Sequence, residues 1–218
     1  MANIVVFAAH NDDHALGMGG TIAKHYAQGD AVTTFIGSFG ELSHPHLKPE
    51  VISKQRVKEA QRADRAFGGD GHVIFLGLKE FKFERDFHRK GFARTLAKRI
   101  RGLRPDKIYV PAPDDTHPDH KAIGALIHDL IEDNRLRCDV YAYYVYPNLA
   151  PLRAPKLTVD VSDTYRKKLE ALKAFRSQIN PFSYLITNNL VFLYALFRNG
   201  LAGFLHGVRF AETFAKIH

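Results

Sequence analysis

Cysteine is almost absent from this 218-residue chain. Cys138 stands alone, so neither a disulfide framework nor a cysteine-based zinc site can be built. That fits a reducing compartment and predicts a cytoplasmic protein. Long apolar runs are also missing. The longest near the C-terminus, Leu190 to Phe197, is far too short to cross a bilayer. Met1-Ala2-Asn3 lacks the charged segment and cleavage site of a secretory leader, so no signal peptide is expected. No internal repeat, low-complexity tract or long linker is present, which argues for one domain spanning residues 1–218. Net charge is +8, yet Lys and Arg form no dense tract. Groups such as Lys98-Arg99-Arg101-Arg104 and Arg166-Lys167-Lys168 read as solvated helix faces, so no nucleic-acid partner is expected. Recognition of an anionic small molecule is the weaker alternative.

What is present has ordinary globular composition, 45% apolar and 25% charged, with strand and helix patterns alternating. The run Ile4–Ala9 reads as a fully buried strand, Leu16–Tyr26 as a helix ended near Gly29, and Ala31–Ile36 as a second strand. Glu50–Phe67 reads as a charged amphipathic helix with Val51, Val57, Ala60, Ala63 and Phe67 turned inward. Further strands are expected at His72–Leu76, Asp106–Val110, Asp139–Tyr146 and Leu157–Val161. Helices are expected at Phe92–Leu103, at His117–Asn134, and from a Ser162 or Asp163 cap through Gln178. Leu78–Arg89 fits neither pattern. The last forty residues suggest a short helix around Leu190–Arg198 and another near the end. The aromatics there (Phe182, Tyr184, Phe192, Tyr194, Phe197, Phe204) suit a core or a subunit contact, so residues 179–218 are expected to shape a pocket or join a homo-oligomer. This alternation predicts an α/β fold with a doubly wound, mostly parallel sheet of order 3-2-1-4-5.

Two clusters carry the chemistry. His10-Asn11-Asp12-Asp13 follows the first strand, and nothing about packing requires adjacent carboxylates there. His117-Pro118-Asp119-His120 follows the fourth strand and opens a helix, with Thr116 and Asp119 at capping-box spacing and Pro118 in the first turn. In a 3-2-1-4-5 sheet the first and fourth strands are neighbours at the switch point, so the loops after them converge. Two histidines and a carboxylate with an open coordination position make a catalytic zinc set.

These residues resemble the PIG-L/LmbE-like zinc-dependent N-deacetylases. That family carries Ala-His-Pro-Asp-Asp-Glu and His-Pro-Asp-His; here the motifs stand as Ala9-His10-Asn11-Asp12-Asp13-His14 and His117-Pro118-Asp119-His120. Gly40-Glu41, Arg56 with Glu59, Ala174 to Gln178, and Ala211-Glu212-Thr213-Phe214 add supporting matches over most of the chain. The resemblance implies a Rossmann-like three-layer sandwich that hydrolyses an N-acetyl group, usually on a glucosamine unit of a sugar or glycoconjugate. It further implies one Zn2+, or another divalent metal, held by His10, Asp13 and His120. Asp12 would be the general base, His117 would stabilise the oxyanion or protonate the leaving amine, and Asp119 would orient His117. The chemistry of amide hydrolysis agrees, since it needs an activated water, a polarised carbonyl and a proton for the amine.

Two residues depart from the motif. Asn11 replaces proline and keeps a turn-forming residue. His14 replaces glutamate; it is expected to lie behind the ligands or face solvent, with metal ligation in place of Asp13 or substrate contact as the alternatives. Glu41 and Arg56 are candidate substrate contacts, and His44 and His46 could line the same mouth. Gly17-Met18-Gly19-Gly20 does not complete G-x-G-x-x-G, because position 22 is Ile22, and close helix packing accounts for these glycines better. His10 and His14 have the spacing of a zincin pair, but Asn11 stands where the glutamate is needed, which argues against a zincin protease. A hydrolase of another amide or carbamoyl group and a non-catalytic nucleotide-binding protein remain the rival readings.

Overall fold

The computed structural model describes residues 1–44, 46–134, 136–145, 157–178 and 184–218, with backbone only at 184–192 and 195. Tyr146 and Phe182 lie outside the described residues, as do the side chains of Tyr184 and Phe192. In chain order the elements are β1 (Asn3–Ala8), α1 (Asp13–Ala27), β2 (Ala31–Ile36), α2 (Pro49–Phe67), β3 (Val73–Phe75), α3 (Phe83–Phe87) and α4 (Phe92–Leu103). They continue with β4 (Lys107–Pro111), α5 (Pro118–Asp133), β5 (Asp139–Tyr143), β6 (Leu157–Asp160), α6 (Tyr165–Leu172), α7 (Tyr184–Leu205) and β7 (Ala211–Lys216).

The strands form one sheet of order β3-β2-β1-β4-β5-β7-β6. The expected 3-2-1-4-5 core is present, and its strands are parallel. Successive β1 side chains enter opposite layers, as the period of two requires. Ile4 and Val6 join Met18, Ile22, Ala63, Phe67 and Leu172 under α1, α2 and α6. Val5, Phe7 and Ala9 join Phe83, Leu96, Ile100, Ile123 and Ile127 under α3, α4 and α5. Helices therefore cover both faces of the sheet, which gives the three layers.

Several expected elements differ. The helix expected near the end is instead β7, which pairs antiparallel with β5 and β6. The short helix around residue 190 is a 22-residue helix, α7, on which Leu193, Leu196, Phe197, Leu201, Phe204 and Leu205 are exposed. The residue capping α6 is Thr164, not Ser162 or Asp163. On α2, Val51 is exposed and Val57 half-buried; the inward face carries Ile52, Arg56, Glu59, Ala60, Ala63 and Phe67. Ala60, Ala63 and Phe67 are buried as expected, while Val51 and Val57 give way because charged residues, Arg56, Glu59 and Asp64, are buried on this helix.

Helix α1 begins at Asp13, three residues before its expected start, and breaks at Met18 (φ −149°, ψ 22°). Close approach explains the glycines around the break. A Cβ at Gly17 would lie 2.2 Å from the Tyr143 ring, and one at Gly20 would lie 2.7 Å from Val161. The break frees backbone amides, and Glu212 of β7 takes them. Its carboxylate accepts from Gly20 N at 3.1 Å and Thr21 N at 2.7 Å, and from the Thr21 hydroxyl at 2.7 Å. The same carboxylate meets the Lys168 ammonium at 2.6 Å, and neither side chain is exposed. Lys168 also donates to Leu16 O and Asn199 Oδ1, so its three protons are all used. Removing one partner of such a pair leaves an uncompensated buried charge and typically costs 3–5 kcal/mol. Glu212→Ala is accordingly expected to lower unfolding stability by about 3–5 kcal/mol in urea titrations; a loss under about 1 kcal/mol would remove the pair from the account of α1.

Candidate metal centre

β1 and β4 pair in parallel with Ile4 opposite Lys107 and Val6 opposite Tyr109. Their C-terminal ends thus reach the same edge of the sheet, and the segments that follow meet there. His10 leaves β1, and Asp13 opens α1. His117, Asp119 and His120 sit at the start of α5. Among the described residues, one group of three or more metal-capable side chains comes together: ligand atoms of His10, His117 and His120 lie within 4.8 Å of one another.

Asp13 lies between two of these imidazoles. Its Oδ2 is 3.5 Å from His10 Nδ1, and its Oδ1 is 3.2 Å from His120 Nε2. It also accepts from the His10 backbone N–H at 2.7 Å. Two ligands of one tetrahedral zinc are about 3.3–3.5 Å apart, given metal–ligand bonds of about 2.0–2.2 Å. Each imidazole is backed by its own carboxylate. His10 Nε2 is 3.2 Å from Asp119 Oδ2, and His120 Nδ1 is 3.2 Å from Asp115 Oδ1. Carboxylates behind ligating histidines fix the ring and its tautomer. The donor atoms of His10, His117 and His120, with the Asp13 carboxylate between two of the rings, could thus hold a divalent cation.

Electrostatics point the same way. Burial disfavours a charge on Asp13, yet the His120 and His10 rings hold its pKa well below the usual carboxylate range. Burial also opposes protonation of His10, but Asp13 and the hydrogen bonds to Asp119 and Asp13 raise its pKa to about 10. His120 behaves alike; against burial, Asp13 and Asp115 raise it to about 9. His117 differs. Burial and the two neighbouring imidazoles lower its pKa.

The structure changes several expected roles. The cap of α5 is His117, not Thr116, because the helix starts at Pro118; His117 Nδ1 accepts from Asp119 N at 3.2 Å. That bond leaves the ring proton of neutral His117 on Nε2. The Asp119 carboxylate does not orient His117, as was expected: it faces His10 and accepts from Phe81 N at 2.9 and 3.0 Å. Asp115 was missed by the sequence reading. It accepts from His117 N at 3.0 Å and stands behind His120, and its only sequence signal was an unassigned carboxylate beside the motif. His14 is 1% exposed, with its ring against Phe67 and burial lowering its pKa to about 4, so it lies in the core rather than at a substrate mouth.

Asp12 keeps its carboxylate partly open, 3.3 Å from Arg56 Nη2. Arg56 is 2% exposed, and among the described residues its Nε and Nη1 have no hydrogen-bond partner. Asn11 Nδ2 and Oδ1 and Glu41 Oε2 share that state. Gly40 (φ 75°) lets this group close up, since a Cβ there would lie 2.7 Å from Arg56 Nε and 3.0 Å from Asn11 Oδ1. Buried polar atoms left unpaired call for a ligand or ordered water. His44 is half-buried and His46 exposed; they contact each other, with His46 N donating to His44 Nδ1.

Residues 5–131 match the PIG-L family, described as GlcNAc-PI de-N-acetylase. A Bacillus cereus protein named "Probable N-acetyl-alpha-D-glucosaminyl L-malate deacetylase 2" is 30% identical over 187 residues, covering 81% of this chain and 83% of that protein. The diacetylchitobiose deacetylase of Thermococcus kodakarensis is 25% identical over 232 residues, covering 95% and 82%. Among solved structures, N,N'-diacetylchitobiose deacetylase from Pyrococcus horikoshii superposes with a TM-score of 0.81 at 22% identity, covering 99% of this chain and 84% of that one. At that identity the likeness speaks for the fold alone.

At pH 7 the metal-free chain holds a proton on both His10 and His120, because both pKa values lie above 7. A divalent ion must displace them. Calorimetry with Zn2+ in buffers of different ionisation enthalpy is expected to count about two protons released per ion at pH 7. Release falls as pH climbs through about 9 and then about 10, where the rings lose their protons unaided. No release at pH 7 would contradict metal binding at these two rings.

Proposed function

The chain belongs to the PIG-L family of de-N-acetylases, and from that premise we propose that it is a metal-dependent hydrolase removing an N-acetyl group from an N-acetylglucosamine-type sugar or glycoconjugate. The observation that carries the reading is Asp13 set between His10 Nδ1 and His120 Nε2, with Asp119 and Asp115 behind the rings. His10, Asp13 and His120 would hold one Zn2+ or similar ion. Such an ion acts as a Lewis acid on the carbonyl and lowers the pKa of water to roughly 7. Both curated relatives named above carry deacetylase names on N-acetylglucosaminyl or diacetylchitobiose substrates, which supports the substrate class.

In this reading Asp12 takes a proton from the attacking water, whose oxygen bonds to the acetamide carbon. The Arg56 guanidinium, 3.3 Å from Asp12, holds that carboxylate in place. His117 donates its Nε2–H to the carbonyl oxygen as negative charge builds there, a contact that strengthens toward the transition state. The C–N bond then breaks, the proton held by Asp12 passes to the leaving nitrogen, and the free amine departs with acetic acid, which gives up the water's second proton to solvent as acetate. Asp119, as part of the catalytic set, works through His10. The unpaired atoms of Arg56, Asn11 and Glu41 would receive sugar hydroxyls. The half-buried free thiol of Cys138 agrees with a cytoplasmic setting.

A homo-oligomer is part of the same proposal. The exposed Leu and Phe side chains of α7 offer on the order of 700 Å² of apolar surface, close to the 800 Å² or so that one partner contributes to a standard interface. A second copy is the occupant this surface suits, because the sole charged side chain of the helix, Arg198, is turned onto Tyr144 O rather than toward an anionic surface. Light scattering is expected to find an oligomer that Phe204→Glu dissociates, and a monomeric wild type would reject it.

The activity test is release of free amine from N-acetylglucosamine conjugates by metal-loaded protein; no release from any N-acetylated sugar would overturn the assignment. Asp12→Asn is expected to retain one ion per chain while losing about 10²–10⁴-fold in kcat. Asp13→Ala is expected to lose the ion itself, whereas His117→Ala keeps it and loses about 10²-fold in kcat. Loss of the ion from His117→Ala with retention in Asp13→Ala would assign the third ligand to His117.

A further inference from the structure

One aromatic residue at the rim has no place in that chemistry. Phe81 is 64% exposed and has φ 60°, one of two non-glycine residues with positive φ in the chain's described part. A bulky side chain in the left-handed region costs energy that is tolerated only where surrounding contacts enforce it. The enforcing contact is visible. Asp119, 2% exposed, accepts the Phe81 N–H with both carboxylate oxygens, at 2.9 and 3.0 Å, and the same carboxylate faces His10 Nε2. The residue before it, Glu80, is pinned to the facing loop through Leu42 N at 2.8 Å. Phe81 is therefore held at its backbone, tied through one carboxylate to a candidate metal ligand. Its centroid lies 5.7 Å from that of His117, the imidazole assigned to the carbonyl oxygen.

We infer that Phe81 is the stacking platform for the pyranose ring of the substrate, which deepens the deacetylase reading and rests on it. In a 2-acetamido sugar only a nitrogen separates the reacting carbonyl carbon from the ring. A carbonyl oxygen at His117 therefore brings the pyranose within reach of whatever lies beside that imidazole, and what lies there is the Phe81 ring. The hexose presents C–H bonds on its face and hydroxyls at its edge. An aromatic face suits the first, and the unpaired Arg56, Asn11 and Glu41 atoms suit the second. The strained backbone places the ring over the site instead of in the core, where an exposed phenylalanine would otherwise be expected to retreat.

Stacking binds the ground state and the transition state alike, so its loss appears in KM. Phe81→Gly, which suits the backbone angle, is expected to lower kcat/KM about tenfold through KM, with no fall in Tm. An unchanged KM, or a loss carried by kcat alone, would overturn the platform. A second variant reads binding without turnover. The chain has no tryptophan, so Phe81→Trp introduces a sole indole fluorophore. Titration with N-acetylglucosamine or its conjugates is expected to shift that emission saturably. Silence toward a sugar that the wild type deacetylates overturns the platform and leaves the deacetylase standing. Failure of the wild type on every N-acetylated sugar instead overturns the deacetylase reading.

Discussion

Parallel pairing of β1 with β4 is the constraint on which the site rests. The ladder from Ile4–Lys107 to Val6–Tyr109 fixes where both strands end, and both chemical segments leave from those ends. More than a hundred residues separate them in sequence, yet no long loop has to search for its partner. The connection is made in the sheet core, where Val5, Val6, Ile108 and Tyr109 are almost entirely buried. A slip of register would move His10 away from His120 and turn each β1 side chain to the opposite layer. Buried apolar area thus holds the geometry that the polar residues use.

Upon that frame, the cluster solves a problem of charge. Asp13, Asp115 and Asp119 are each at most 2% exposed, and such carboxylates are costly in a dry interior unless compensated. Without an ion, compensation comes from protons on His10 and His120, whose pKa values are raised accordingly. One divalent ion carries the charge of two protons. Exchange leaves the net charge of the cluster unchanged and frees the two rings as neutral ligands. The same clustering leaves His117 neutral, its pKa lowered by burial and by the neighbouring imidazoles, which suits a hydrogen-bond donor rather than an ion.

The sequence made the apolar strands and both motifs legible, because buried parallel strands read as continuous apolar runs. It misled where a charged residue serves the interior. Arg56 and Glu59 face inward on α2, so counting hydrophobic positions put Val51 and Val57 inside in their place. Ala211–Lys216, rich in helix formers, is a strand because β5 and β6 pair with it on either side. Its Glu212 points inward to meet α1 and Lys168, which breaks the alternation that would have announced a strand. Asp115 was invisible for another reason: its task depends on where His120 Nδ1 ends up, and spacing alone does not encode that. Phe81 likewise looked like part of an ambiguous aromatic stretch until its φ and exposure were known.

Asp119 shows why the site tolerates strain so near the chemistry. Its backbone amide caps α5 onto His117, while its carboxylate holds His10 and the Phe81 amide. A single residue therefore couples both imidazoles to the rim. With that carboxylate removed, the half-buried His10 ring would lose an acceptor and Phe81 would lose what enforces its backbone angle. The two losses are expected to be non-additive, since both act through the same group. Rigidity at the rim is thus borrowed from the ionic network below it, and the position of the sugar platform follows the geometry of the candidate ligands.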